Sequence, residues 1–134
     1  MTVGSVLTKA GFNAILSRAF SNAGTYTVPS RFKIGTGTTT PSQTDSNLAT
    51  PITAWSGGSD YKNYSASYPT FDTTNQKVTV QGFVASTEAN GNTITEYADF
   101  NTDGSPVMFS RTVFTSITKT SAVQVFITTR FKRI

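Results

Sequence analysis

Residues 122–134 read AVQVFITTRFKRI, and within them Val123, Val125, Ile127 and Phe131 alternate with Gln124, Thr128, Arg130 and Lys132. Side chains of an extended chain point to opposite faces with a period of two. This stretch therefore reads as a strand with one face in a core and the other in water, and the fold must supply a sheet for it. The preceding texture agrees. From residue 25 onward Thr, Val, Phe, Tyr and Ile are interrupted by Gly, Pro, Asn and Asp, the chemistry of strands and turns. Candidate strands are TYTV (25–28), RFKIG (31–35), KVTVQGFVA (77–85), NTITEYADFN (92–101), PVMFSRTVFTSITK (106–119) and the C-terminal run. The ANGN of 89–92 contains Asn90-Gly91, a pair that suits the positive φ of both central positions of a type I′ hairpin. NTDGSP at 101–106 contains Asp103-Gly104 and marks a second hairpin. Short links between successive strands predict an antiparallel meander.

One helix is expected, over SVLTKAGFNAILSRAF at 5–20. Leu7, Gly11, Ala14 and Arg18 share one set of helical spacings, and Val6, Ala10, Ile15 and Ala19 and then Phe12, Leu16 and Phe20 fall on the adjacent rows, a broad apolar face with Lys9, Asn13 and Ser17 outside it. Ser5 or Thr8 caps its start, and SNAG at 21–24 supplies the stop. Residues 36–76 are polar, spotted with aromatics and without a period, so they predict a long loop with short strands. The expected fold is mainly β: an antiparallel sheet or β-sandwich with one N-terminal amphipathic helix, in a single domain spanning 1–134.

Composition removes several kinds of chemistry. With no Cys and no His there are no disulfides, thiolate nucleophiles, imidazole bases or His- and Cys-ligated metals. The expectation is a protein that is not an enzyme and holds no metal or cofactor. The net charge is +4, but the basic residues are dispersed and only Arg130, Lys132 and Arg133 cluster, which argues against a nucleic-acid face. Alternation in that segment reads as an edge strand whose outward Arg130 and Lys132 discourage aggregation or meet an acidic partner. No apolar run approaches the roughly 20 residues needed to span a bilayer. The N-terminus lacks the pattern of an export signal, so the chain is expected to stay where it is made, outside membranes. Charged residues are only 13% of the chain, a composition suited to burying surface in an assembly.

Three groups of residues invite a functional reading. Gly35 and Gly37, in GTGTTTP, follow a strand as a phosphate loop does. No lysine and no helix follow, and Thr40 stands where a dinucleotide fingerprint needs its third glycine, so these two glycines read as a turn. Glu96 and Asp99 are an odd number of positions apart and should face opposite sides of a strand, while Asp103 belongs to its turn. A carboxylate pair would need a distant partner such as Asp60 or Asp72. Trp55, Tyr61, Tyr64, Tyr68 and Phe71 lie in the polar segment, where they pin the loop to the sheet, anchor a protein interface or stack on a glycan.

Three blocks carry a resemblance. LTKAGFNAILSRAF (7–20), FKIGTGTTTPSQTDSNLATPI (32–52) and ITEYADFNTDGSPVMFSRTVFTSITKTSAVQVFITTRF (94–131) occur in that order. They resemble the opening helix, the IGTGT element and the closing Glu-bearing strand unit of bacteriophage tail-fibre and related virion proteins. Residues 53–91 have no counterpart, and Glu96-Tyr97-Ala98-Asp99 stands where that family carries Glu-Leu-Gly-Leu. The resemblance implies a virion structural protein, assembled in the host cytoplasm, that self-associates as a homo-oligomer and attaches to tail, baseplate or neck proteins. A receptor- or glycan-binding module using the loop aromatics is the alternative.

Overall fold

The structure, a computed structural model, describes residues 5–21 and 25–132. It is mainly β, with a single helix among the described residues. Chain order is β1 (Ser5–Leu7), α1 (Lys9–Phe20), β2 (Arg31–Gly35), β3 (Lys62–Asn63), β4 (Thr70–Asp72), β5 (Lys77–Val84), β6 (Thr93–Phe100), β7 (Met108–Thr118) and β8 (Val125–Lys132). Two antiparallel sheets form, one in the order β1-β7-β6-β2-β3 and the other β4-β5-β8. Their inner faces share one core. Phe32 and Ile34 of β2 and Ile94 and Tyr97 of β6 meet Val84 of β5 and Val125 of β8, with Trp55 and Ala89 filling between them. At Gly82 of β5 a Cβ would lie 3.0 Å from the Phe32 ring, so the glycine lets the sheets close on that ring.

The expected meander is corrected. Of the two hairpins predicted from turn residues only β6–β7 forms, through residues 101–107; a short one, β4–β5, closes through 73–76. In the β6–β7 link Asn101 is fully buried, its Oδ1 accepts from Val107 N at 2.8 Å, and its amide donates to Asp103 Oδ2 at 2.7 Å. TYTV is not a strand; Thr27 N instead donates to Asp103 Oδ1 at 3.0 Å, tying that segment to the hairpin. Asn90-Gly91 is not a hairpin either. β5 and β6 belong to different sheets, and the link between them carries positive φ at Ala89 (55°) and Gly91 (85°) but not at Asn90. Tertiary contacts override the local signal: Glu88 accepts from Ala85 N at 2.8 Å and pairs with Lys62 Nζ at 2.7 Å, while Lys119 Nζ donates to Asn90 Oδ1 at 2.8 Å. The chain crosses between sheets again from β7 to β8, which pairs with β5 along its whole length.

The helix begins later than its periodicity suggests. Ser5 lies in β1, and Thr8 is the cap: buried, it accepts from Gly11 N at 2.9 Å and donates to the Met108 carbonyl of β7. Ser21 closes the helix, its N–H donating to Ser17 O at 2.9 Å; the rest of the expected SNAG stop lies outside the described residues. The docking face is narrower than the expected broad apolar one and keeps only one of its rows. Gly11 and Ala14 are the buried residues of α1, whereas Phe12 (49%), Ile15 (43%), Leu16 (39%) and Phe20 (87%) are exposed. A Cβ at Gly11 would stand 2.5 Å from Phe109 Cα, so the helix backbone rests directly on β7.

Gly11→Ala is therefore expected to destabilise the protein despite the roughly 1 kcal/mol that alanine gains over glycine in a helix. The clash is with backbone, and relief requires the helix to lift, at a net cost of about 1–3 kcal/mol. Urea unfolding followed by circular dichroism measures this; a stabilised variant would refute the docking described.

Candidate functional site

Two carboxylates are buried in β6, and each is saturated. Glu96 accepts from Gly37 N (3.0 Å) and Thr50 N (2.8 Å) on Oε1, and from Ala49 N (3.0 Å), Arg111 Nε (3.0 Å) and Arg111 Nη2 (2.8 Å) on Oε2. Arg111 in turn reaches Asp45 Oδ2 at 2.8 Å and the Thr39 carbonyl at 3.1 Å. Hydrogen bonding to Ser42 N and then the Arg111 guanidinium hold Asp45 below the usual carboxylate range. This cluster straps residues 36–50 across the outer face of the five-stranded sheet, where Leu48 joins Ala98, Phe100 and Met108 in a second apolar cluster.

Gly35 and Gly37 belong to this strap, not to a turn that releases the chain. Gly35 is still paired in β2, Thr36 N donates to Thr50 O at 2.9 Å, and Ile52 N donates to Ile34 O at 3.0 Å. A Cβ at Gly37 would stand 2.5 Å from Glu96 Oε1, and one at Gly35 would meet the same oxygen and Thr50 O. The glycines admit a carboxylate of the protein itself.

On the opposite face of β6, Asp99 accepts from Tyr97 OH (2.7 Å), Tyr64 OH (2.9 Å) and Ser110 Oγ (2.6 Å). Burial pushes its carboxyl up, because no cation accompanies it, and raises both tyrosines. The odd spacing thus separates Glu96 from Asp99 as the sequence predicts. Asp60 pairs with Lys33 at 2.7 Å, and Asp72 bonds Asn75, so neither meets a second carboxylate. Among the described residues no group of three or more His, Cys, Asp or Glu side chains could hold a metal, and no helix is long and apolar enough to cross a membrane.

Of the five aromatic residues only Tyr64 and Phe71 come together, in the lining of one apolar cleft. Trp55 is buried with its ring centroid 5.5 Å from that of Phe32, which removes it as a stacking surface. Tyr64 is spent on Asp99. Tyr61 lies beneath the Arg31 guanidinium at 4.3 Å, Tyr68 is half-buried, and Phe71 alone is broadly exposed, at 72%. Of the turn residues, Asp103 and Gly104 sit in the β6–β7 link, and Asn90 and Gly91 in the crossing between sheets.

What sequence reasoning missed is an apolar face. The sandwich is filled where Val84 and Val125 meet Trp55, but the end bearing Val78 and Phe131 is open. A cleft of about 470 Å³ lies there, lined by Leu7, Ile15, Val28, Val80 and Phe109 together with those two residues. Tyr64 contributes its ring while its hydroxyl turns away to Asp99. Ile15 belongs both to this cleft and to the exposed row of α1, so cleft and helix form one surface. The signal available in the sequence was the pairing of small Gly11 and Ala14 with large Phe12, Ile15 and Leu16 at neighbouring positions. No family model, characterised protein or solved structure matches this chain.

Removing the guanidinium by Arg111→Met leaves Glu96 and Asp45 without their cation, at an expected cost of about 3–5 kcal/mol in urea unfolding. A cost below about 1 kcal/mol would show the strap to be peripheral. Asp99 carries a pH signature. Its folded pKa lies above the unfolded value near 3.9, so its contribution is fully present below that pH and is lost as pH rises through the folded value. Asp99→Asn keeps an oxygen for both tyrosines and removes this titration. The variant should gain stability relative to the native chain as pH rises from about 4 to about 8; parallel profiles would contradict the assignment.

Proposed function

We propose that this chain is a non-enzymatic structural protein of a phage virion, which self-associates and attaches to neighbouring tail, baseplate or neck components. The observation that carries the reading is the apolar face formed by Phe12, Ile15, Leu16 and Phe20 with the adjoining cleft. Proteins that act alone rarely leave so contiguous an apolar surface in water, and the free energy of covering it favours association. The low charge content and the ordered resemblance of three blocks to tail-fibre and related virion proteins support the virion as the setting. The saturated state of Glu96 and Asp99 supports a scaffold in preference to a reactive site. A glycan-binding role draws less support, because Trp55 and Tyr64 are committed inside the fold.

Light scattering of the purified protein, alone and mixed with particles of a phage that encodes it, tests this. Association is expected in at least one case, and Phe12→Glu with Leu16→Glu should weaken it at least about tenfold while leaving the melting temperature within a few degrees. A stable monomer under both conditions refutes the reading.

A further inference from the structure

The three-stranded sheet ends on a strand whose outer side is unpaired. β8 is matched to β5 from Lys77↔Lys132 to Val84↔Val125 without a register shift, and no other described strand or loop is hydrogen-bonded to its backbone. The other three sheet edges are short: β1 and β4 have 3 residues each and β3 has 2. Edge strands that must stay single are shortened, bulged, broken by proline, given an inward charge or lined with charged side chains, lysine above all. β8 runs for 8 residues, VFITTRFK, without bulge, proline or inward charge; its outward charges, Arg130 and Lys132, are confined to its last three positions and leave Val125–Thr129 unguarded. Its inward positions are Val125, Ile127, Thr129 and Phe131, and its charges, Arg130 and Lys132, are exposed on the other face beside Phe126, which is 60% exposed.

We propose that the free edge of β8 pairs antiparallel with the same edge of a second copy, joining two three-stranded sheets across a twofold axis. The inference rests on the self-association in the function proposed above and adds a second contact, distinct from the helix face, with its register. Residues directly opposite in an antiparallel pair share a face, and like charges placed opposite are destabilising. A parallel pairing of the same two edges would turn the core face of one sheet to the outer face of the other, and an antiparallel one centred at Arg130 or Phe131 would oppose cations. Centring on Thr128 avoids both. Arg130 then faces Phe126 of the second copy, a cation over an aromatic ring, and Lys132 faces Gln124. On the inner face Phe131, which lines the apolar cleft, meets Val125 of the other copy, so the cleft wall continues across the junction.

The native chain has no cysteine, so Thr128→Cys introduces a single thiol at an exposed position on the proposed axis. Opposed residues of an antiparallel pair have Cα atoms about 4.5–5.5 Å apart, within disulfide range. Oxidation of this variant should convert most of the protein to a covalent dimer, while Ser46→Cys, exposed on the 36–50 strap, should not. Phe126→Lys, which opposes Arg130 twice per dimer, should raise the dissociation constant at least about tenfold, whereas Phe126→Glu should not. Circular dichroism confirms that each variant is folded. A folded chain that is monomeric at about 100 μM overturns this proposal, and one that also ignores phage particles overturns the functional reading with it. A dimer that Thr128→Cys fails to cross-link and Phe126→Lys leaves intact overturns the edge pairing while leaving association through the helix face in place.

Discussion

The Glu96 carboxylate is the point from which most of the five-stranded sheet is organised. Charging a carboxylate at zero exposure is costly, and the cost is met here by five hydrogen bonds, two from Arg111 and three from backbone amides of the strap. Each of those amides belongs to a segment with no regular structure of its own. Their geometry is imposed by the carboxylate, and the space is made by Gly35 and Gly37. Because the strap then covers Ala98, Phe100 and Met108, β6 becomes buried on both faces, from Ile94 to Phe100. A strand sealed on both sides fixes the register of its neighbours, since a one-residue slip would expose one cluster and bury charge in the other.

The parts of this fold that the sequence revealed are those decided by neighbours along the chain. Alternation in β8 and the Asp103 turn between β6 and β7 depend on residues within a few positions of each other. Asn90-Gly91 has an equally strong local preference, yet its segment crosses between sheets because Glu88 and Lys119 bind partners far away in sequence. Trp55 reads as a surface ring in a polar loop and is core, because Phe32 arrives from β2 to meet it. Buried polar groups were the least visible. Nothing in the spacing of Glu96, Arg111 and Asp45 shows that they converge, since the approach is created by two hairpin strands and a returning loop. The opposed faces of Glu96 and Asp99 were visible because strand parity alone decides them.

The apolar periodicity of residues 5–20 extends beyond the helix, and only the Gly11 and Ala14 row of its broad apolar face is buried. Hydrophobic patterning assumes that the largest apolar residues face the core, but packing is decided by how closely backbones can approach. Thr8 fixes the first turn to the Met108 carbonyl, and from that anchor Gly11 lies on the Phe109 backbone with Ala14 buried one turn on. Pressed this near, the helix has no room to turn Phe12 or Leu16 beneath itself.

One consequence follows for the open end of the sandwich. Had bulky side chains stood at positions 11 and 14, the helix would sit farther from β7 and Ile15 would not meet the cleft lined by Val78 and Phe131 as it does. The close docking brings Ile15 to the cleft and sends the apolar row outward, so both features share one cause, the small side chains at positions 11 and 14. A chain shaped only for its own stability would fill such a cleft, because each unfilled apolar contact forfeits dispersion energy. Retaining it beside a full-length free strand edge places two unsatisfied demands on one side of the three-stranded sheet, one for apolar area and one for backbone hydrogen bonds. Phe131 belongs to both, lining the cleft with its ring while its backbone lies on the open edge. A partner strand paired with the edge would therefore also extend the cleft wall.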